Sequence, residues 1–253
     1  MGHPEKLPIN THDNYIDRVA RCCRGPATSR QGKAEENNSG SKPSHRITAK
    51  RRCDGQGKLS EAEETIENLR ASLEQMLWDN TSQYLRRCVR NMNFTAQERI
   101  SVYAHVDGWF ILAGRFSPDP QRNDPRRRKF PFNEGCIGKA WNSPEACHGT
   151  LPNPDKNLSH YVKMSQRRFD LPESVARDIR MKSRQYYARA LQSDKTGTRV
   201  GVIVLESLSN SCFNSQELNT LISGKEEHLA SLVMSSAGVS IFLRGSNSIG
   251  GIT

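Results

Sequence analysis

Residues 99–106, Arg99-Ile100-Ser101-Val102-Tyr103-Ala104-His105-Val106, alternate strictly, with Ile100, Val102, Ala104 and Val106 on one face. That period of two is the pattern of a half-buried β-strand. Asp107-Gly108 follows at once, a strong signal for a two-residue hairpin turn. Trp109-Phe110-Ile111-Leu112-Ala113-Gly114-Arg115-Phe116 then returns, apolar on both faces, as expected of a central strand. Ser117-Pro118-Asp119-Pro120 ends it, since proline cannot join a ladder from both sides. A second pair, residues 183–191 and Arg199-Val200-Gly201-Val202-Ile203-Val204-Leu205-Glu206-Ser207, is joined by a turn at Asp194-Lys195-Thr196-Gly197. Two such hairpins predict an antiparallel sheet.

Between the hairpins lies Phe130-Pro131-Phe132-Asn133-Glu134-Gly135-Cys136-Ile137-Gly138-Lys139-Ala140-Trp141. Gly135 and Gly138 bracket a tight reversal, because glycine accepts positive φ and close backbone approach. Asn133 is read as the helix start, with Ile137, Ala140 and Trp141 at helical spacing behind it. Residues 122–129 form a basic loop. Residues 147–166 read mostly as loop, with one helical turn near Tyr161-Val162-Lys163-Met164, and residues 171–180 as a short helix. Phe213-Asn214-Ser215-Gln216-Glu217 starts a closing helix that carries Leu218, Leu221, Ile222, Leu229, Leu232 and Val233.

Ahead of the first strand, Leu59, Ala62, Ile66, Leu69, Leu73 and Met76 repeat in a three-four cadence, the seam of a coiled coil. Ser60-Glu61-Ala62-Glu63 reads as a capping box at its start. Asn80 and Gln83 take the next seam positions, and the apolar side restarts at Leu77, Tyr84, Leu85, Cys88 and Met92. Such a phase slip fits a helix that leaves a partner helix and docks on its own domain. The divisions expected are a disordered basic tail over residues 1–58, an amphipathic helix over 59–92, a domain over 93–238 and a frayed tail over 239–253.

The net charge of +10 is uneven, with twelve Lys/Arg against six Asp/Glu in residues 1–58 and four against seven in residues 59–98. No helix concentrates Arg or Lys on one face with aromatic partners, so no specific nucleic-acid contact is expected beyond a weak one from the tail. Seven cysteines (Cys22, Cys23, Cys53, Cys88, Cys136, Cys147 and Cys212) show no C-x-x-C step. They support neither a disulfide framework nor a zinc ribbon, and point to a reduced, cytoplasmic setting. Residues 229–243 are the nearest approach to a membrane segment and are too short to span; no signal sequence is visible.

The order of long helix, hairpin, glycine-bracketed helix, irregular middle, hairpin and closing helix resembles a GAF domain, a small-molecule sensory module related to PAS domains. The resemblance rests on Arg99-Ile100-Ser101-Val102-Tyr103, Arg115-Phe116-Ser117, Gly135-Cys136-Ile137-Gly138-Lys139-Ala140 and residues 201–207 with Phe213, and covers about residues 65–240. It implies an α+β fold, a GAF-like antiparallel sheet flanked by helices and preceded by the long coiled-coil-like helix and disordered tail. It also implies dimerisation through terminal helices and a ligand held between sheet and loops. The expected walls are Phe110, Leu112, Phe132, Ile137, Trp141, Tyr161, Tyr186 and Val202, with Arg115, Arg128, Lys182 and Arg184 as candidate anion contacts. The ligand is an unknown small molecule, no cofactor or metal is expected, and any output lies in a separate protein or in the N-terminal helix and tail.

The resemblance opens three further branches. The Asn-Lys-Phe-Asp-Glu constellation of cyclic-nucleotide binders is absent. Cys147-His148 is similar to the bilin-attachment pair of phytochrome-like relatives but stands too close to the glycine turn. Cys136 and Cys147 loosely resemble two cysteines of free methionine-R-sulfoxide reductases, while the third expected cysteine is missing from residues 158–199. The chain is therefore expected to be a non-enzymatic sensor, with a ligand-free dimerisation scaffold, and behind it the reductase, as alternatives.

Overall fold

The computed structural model describes the backbone of residues 45–247 and the side chains of residues 58–241, and the account below concerns the unit Asp54–Thr253. Of the tail expected over residues 1–58, residues 1–44 lie outside the described residues, as do the last residues, 248–253. Helix α1 (His45–Cys88) begins well before Leu59. Residues 45–58 are therefore helical rather than tail, and Ser60–Glu63 sit inside the helix instead of capping it. Gly55 and Gly57 are weak helix formers and the stretch carries no apolar period, which is why it reads as tail in the sequence.

A hairpin of β1 (Glu98–Val106) and β2 (Trp109–Phe116) follows. Next come a short α2 (Pro120–Asn123), β3 (Lys129–Pro131), α3 (Gly135–Asn142), β4 (Cys147–Thr150), α4 (Leu158–Phe169) and α5 (Glu173–Asp178). The second hairpin, β5 (Gln185–Gln192) and β6 (Arg199–Ser207), leads to α6 (Ser215–Ser223) and α7 (Glu226–Asn247). The closing helix thus divides at Gly224, and its second half runs on through residues 239–247, where fraying was expected. All six strands pair antiparallel in the order β3-β2-β1-β6-β5-β4.

The alternation in β1 does what its period predicts. Ile100, Val102, Ala104 and Val106 enter the main core with Leu85 and Cys88 of α1 and the Val89 that follows it, Leu218 and Ile222 of α6, and Leu229 and Val233 of α7. Each such fully buried aliphatic side chain contributes about 1.5–3 kcal/mol. Gly201 leaves no room for a side chain beneath this layer: a Cβ there would stand 2.1 Å from the Tyr103 carbonyl oxygen and 2.7 Å from Val233. The opposite face of the sheet is covered by α3, α4 and α5.

Helix α1 changes role along its length. Leu59, Ile66, Leu69, Leu73 and Met76 are exposed, whereas Thr81, Leu85, Cys88 and Val89 are buried against the domain. The phase slip read from the sequence falls at that change.

The short α2 and strand β4 escaped the sequence reading, and α4 was read only as a single turn near Tyr161. Strand β4 is only four residues long and sits at the sheet edge, and α4 is a full helix capped by Asn157, whose side chain accepts the His160 N–H at 2.9 Å. Pro172 stands at the N-cap of α5. No helix among the described residues is long and apolar enough to cross a membrane.

Candidate functional site

The period of two that sends Ile100 and Val102 into the main core sends Arg99, Ser101 and Tyr103 to the other face of the sheet. Strand β6 contributes Val204 and Glu206 to that face, because Arg99 pairs with Glu206 and Ser101 with Val204 in the ladder. Strand β2 joins through an irregularity. The register jumps between Val102 and Tyr103, which face Gly114 and Leu112, leaving Ala113 as the extra residue of a bulge. The bulge turns Arg115 to the same side as Leu112 and Phe110, which an unbroken strand would place on the opposite side from it.

Arg99, Tyr103, Arg115, Val204 and Glu206 floor a cavity of about 350 Å³. Its roof comes from Cys136 and Ile137 of α3, Ser165 and Phe169 of α4, and Leu171 to Met181 around α5, with Arg126, Arg127, Phe130 and Glu134 at one side. The α3 wall depends on Gly138: a Cβ at that position would lie 2.6 Å from the Asn133 carbonyl carbon. Glu134, not Asn133, is the N-cap of α3, with no side-chain cap, and Gly135 takes φ +72°. The reversal read from the two glycines is present, with the turn one residue later.

A charged pair lies at the base. Arg99 donates from Nε and Nη2 to Glu206 Oε2 at 2.8 and 2.6 Å, and Ser183 Oγ donates to Glu206 Oε1 at 3.3 Å. Burial, the largest single effect, would lower the Arg99 guanidinium, but Glu206 together with Tyr103 and Tyr186 outweighs it and holds Arg99 above its usual value. Arg115 is 7% exposed, and its Nε donates to Ser101 Oγ at 3.1 Å. Tyr161 donates to the Ser183 carbonyl at 3.1 Å and stands 3.3 Å from the Tyr186 hydroxyl. Burial pushes the Tyr161 phenol up to about 12 and raises Tyr103 and Tyr186 as well, so all three are neutral donors. At the rim Arg127 bonds Glu134 at 3.0 Å and covers the Phe130 ring at 4.4 Å.

Of the expected wall residues, Ile137 and Tyr186 line this cavity, and so does Arg115 among the expected anion contacts. The others do not. Phe110, Leu112 and Val202 are buried in the neighbouring cluster beneath α3. Trp141 stacks on His105 at 4.4 Å and meets Phe110 edge-on at 5.4 Å, so it closes that cluster. Phe132 is exposed, and Tyr161 is buried behind Tyr186. Arg128 lies over the Trp78 ring at 5.2 Å, Lys182 donates to the Ile179 carbonyl at 2.9 Å, and Arg184 holds its Nε sealed without a partner. None of these three basic residues lines the cavity.

Residues absent from the expected set are Arg99, Tyr103, Cys136, Phe169, Met181 and Glu206. Arg99 and Tyr103 were readable as the second face of the alternating strand. The remainder depend on how α3, α4 and α5 fold over the sheet, which no local pattern encodes. Cys147 and His148 occupy successive positions of β4, Cys147 half-buried toward the core and His148 exposed. Burial first, then Glu206 and Cys147, raises the Cys136 thiol well above its ordinary range. Among the described residues no His, Cys, Asp and Glu cluster could hold a metal ion.

His105, packed against Trp141, has its imidazole held below the ordinary 6.5 by burial, with Asp107 acting the other way. The unfolded chain therefore binds this proton more readily than the folded one, and stability falls as pH drops through 6.5 toward the depressed folded value. Chemical denaturation across this range is expected to show that slope, and His105→Phe to flatten it; an unchanged slope in the variant assigns it elsewhere.

No protein-family model matches the chain, and no curated protein matches it. Solved structures similar to it include a type II free methionine-R-sulfoxide reductase from Thermoplasma acidophilum, at 13% identity and TM-score 0.43 over 66% of this chain and 94% of that one. The GAF domain of an Acinetobacter phosphoenolpyruvate-protein phosphotransferase is similar at 11% identity and TM-score 0.42, over 68% and 97%. The GAF domain of a two-component sensor histidine kinase from Bacillus halodurans is similar at 15% identity and TM-score 0.37, over 64% and 97%. The strand order, the two hairpins and the helices on both faces of the sheet make this a GAF-like α+β fold.

Proposed function

We propose that the chain is a sensory or regulatory module that binds a small molecule in the cavity above β1, β2 and β6 and signals through dimerisation of α1. The observation that carries this is the cavity itself, which gathers side chains from the sheet, α3, α4 and α5 around a buried polar floor. Concave sites with apolar walls and few polar groups are the usual form of a ligand site. Ligand binding would bias the packing of the roof helices, and α1 would carry that bias outward as a shift in population.

A second copy of the chain is the proposed partner for α1. Leu59, Ile66 and Leu73 fall at one heptad position and Ala62, Leu69 and Met76 at the other, and all are exposed. Asn80 continues the first series, and a polar residue at such a position favours one register and two strands. Met234 and Ile241 of α7, seven residues apart, are exposed too. Light scattering on the full chain is expected to give a dimer, and Ile66→Lys with Leu69→Lys a folded monomer. A monomeric wild-type chain would sink the dimer half of the reading, and a dimer that never takes up a ligand would favour a scaffold.

The proposal assigns no chemistry to the cysteines. A thiolate is the nucleophile in sulfoxide reduction, and a thiol raised by burial is a poor one. Turnover of free methionine sulfoxide by the purified chain would overturn this part. The four described cysteines, Cys88, Cys136, Cys147 and Cys212, are all unpaired, which supports a reduced, cytoplasmic setting.

A further inference from the structure

We infer that the cavity takes a small organic carboxylate, with its anionic head on Arg115 and its body against the apolar wall; this rests on reading the cavity as a ligand site. Arg115 is 7% exposed and lines the cavity. Its Nε is held by Ser101, and its backbone N–H donates to Ser82 Oγ at 3.2 Å. Among the described residues no carboxylate forms an ion pair with it, and neither terminal nitrogen donates to a protein group. Those terminal nitrogens are not among the sealed, unpartnered atoms either, so they stay open to the cavity.

Neighbouring charges differ in this respect. Arg99 is matched by Glu206, and Arg127 by Glu134. The cavity is lined by five arginines and four carboxylates, an excess of one positive charge. A guanidinium removed from water without a counter-charge is costly, and the cost is recovered when an anion arrives. One negative charge balances the site, which fits a monocarboxylate better than a phosphate dianion. A planar guanidinium also matches a carboxylate with two parallel hydrogen bonds.

The remaining chemistry sets the rest of the ligand. Phe130, Ile137, Leu151, Phe169 and Val204 offer an apolar wall, and the protonated Tyr103 and Tyr186 offer donors beside it. A volume near 350 Å³ is at the small end of the range for ligand sites, roughly 300–1,000 Å³. The ligand is therefore a compact acid with a hydrocarbon body.

The test titrates the full chain with phenylacetate and 4-methylpentanoate, each beside its uncharged primary amide, and with inorganic phosphate and chloride. Calorimetry gives the affinities, and the NMR signal of the Arg115 Nε–H reports the place. An acid is expected to saturate and to bind at least about tenfold more tightly than its amide, the worth of a charge-assisted hydrogen bond. Arg115→Gln is expected to erase the difference between acid and amide. Should that variant fail to fold, the comparison on the wild-type chain decides alone. An amide that binds as tightly as its acid overturns the inference and leaves the cavity as a ligand site. Phosphate or chloride binding as tightly as the acids overturns the organic carboxylate. No saturable binding by any acid or amide overturns both this inference and the ligand-site reading beneath it.

Discussion

Glu206→Ala is expected to lower the unfolding free energy by about 3–5 kcal/mol, the usual loss when one member of a buried ion pair is removed. Glu206 is 7% exposed, accepts both Arg99 bonds on one oxygen and receives Ser183 on the other. Its loss leaves the Arg99 guanidinium buried beside Arg115, so that two like charges share the cavity floor. The double variant Arg99→Met with Glu206→Leu is expected to regain most of the loss, because apolar replacement of a whole buried pair is often near neutral. Urea denaturation of Arg99→Met, Glu206→Leu and the double variant measures the coupling. Additive losses would mean that the pair is not the unit described here.

Gly201 supplies the second large effect. Gly201→Ala is expected to cost about 3 kcal/mol, the upper end for forcing atoms into a packed core. The obstacle is the Tyr103 carbonyl at 2.1 Å, a backbone atom locked in the central ladder and unable to rotate away. Gly238→Ala is the matched comparison, since nothing lies within 4 Å of a Cβ there and the residue sits in α7. It is expected to gain about 0.5–1 kcal/mol from the lower entropy of the unfolded chain. Equal midpoints for the two variants in urea would contradict the close approach.

Much of the fold was legible because it is written in local periods. The alternation of β1, the Asp107-Gly108 turn and the return strand all depend on neighbours in sequence. The phase slip in α1 was legible for the same reason, since a heptad seam and a core face are two readings of one helix. Strand β4 and helix α4 were not. Strand β4 pairs only along one edge, and its outward residues His148 and Thr150 are exposed, so little apolar signal remains. In α4 the buried Tyr161, Val162, Ser165 and Phe169 are interleaved with Lys163, Gln166, Arg167 and Arg168, and the stretch before it is rich in Pro and Asn.

The site was legible to a lesser degree. Aromatic and aliphatic residues near the glycine turn are natural wall candidates, but Phe110 and Trp141 pack on each other and on His105 rather than around the cavity. The deciding residues are charged ones near the ends of apolar strands. Arg99 and Glu206 read as strand-end charges until the ladder places them side by side. Arg115 reaches the floor only because the bulge at Ala113 shifts the phase of β2 by one residue. A bulge is a tertiary choice, and no alternation count predicts it.

The central claim is that the cavity above β1, β2 and β6 receives a small molecule. Native mass spectrometry of the freshly purified full chain, compared with Ile137→Trp, tests it most directly. Ile137 lines the cavity and is buried, so the larger ring fills the space a ligand would need. The wild-type chain is expected to carry an added mass that denaturation releases, and the folded variant to lack it. A folded wild-type chain with no added mass that also binds nothing from a broad metabolite set, or an added mass retained in full by Ile137→Trp, would contradict the claim.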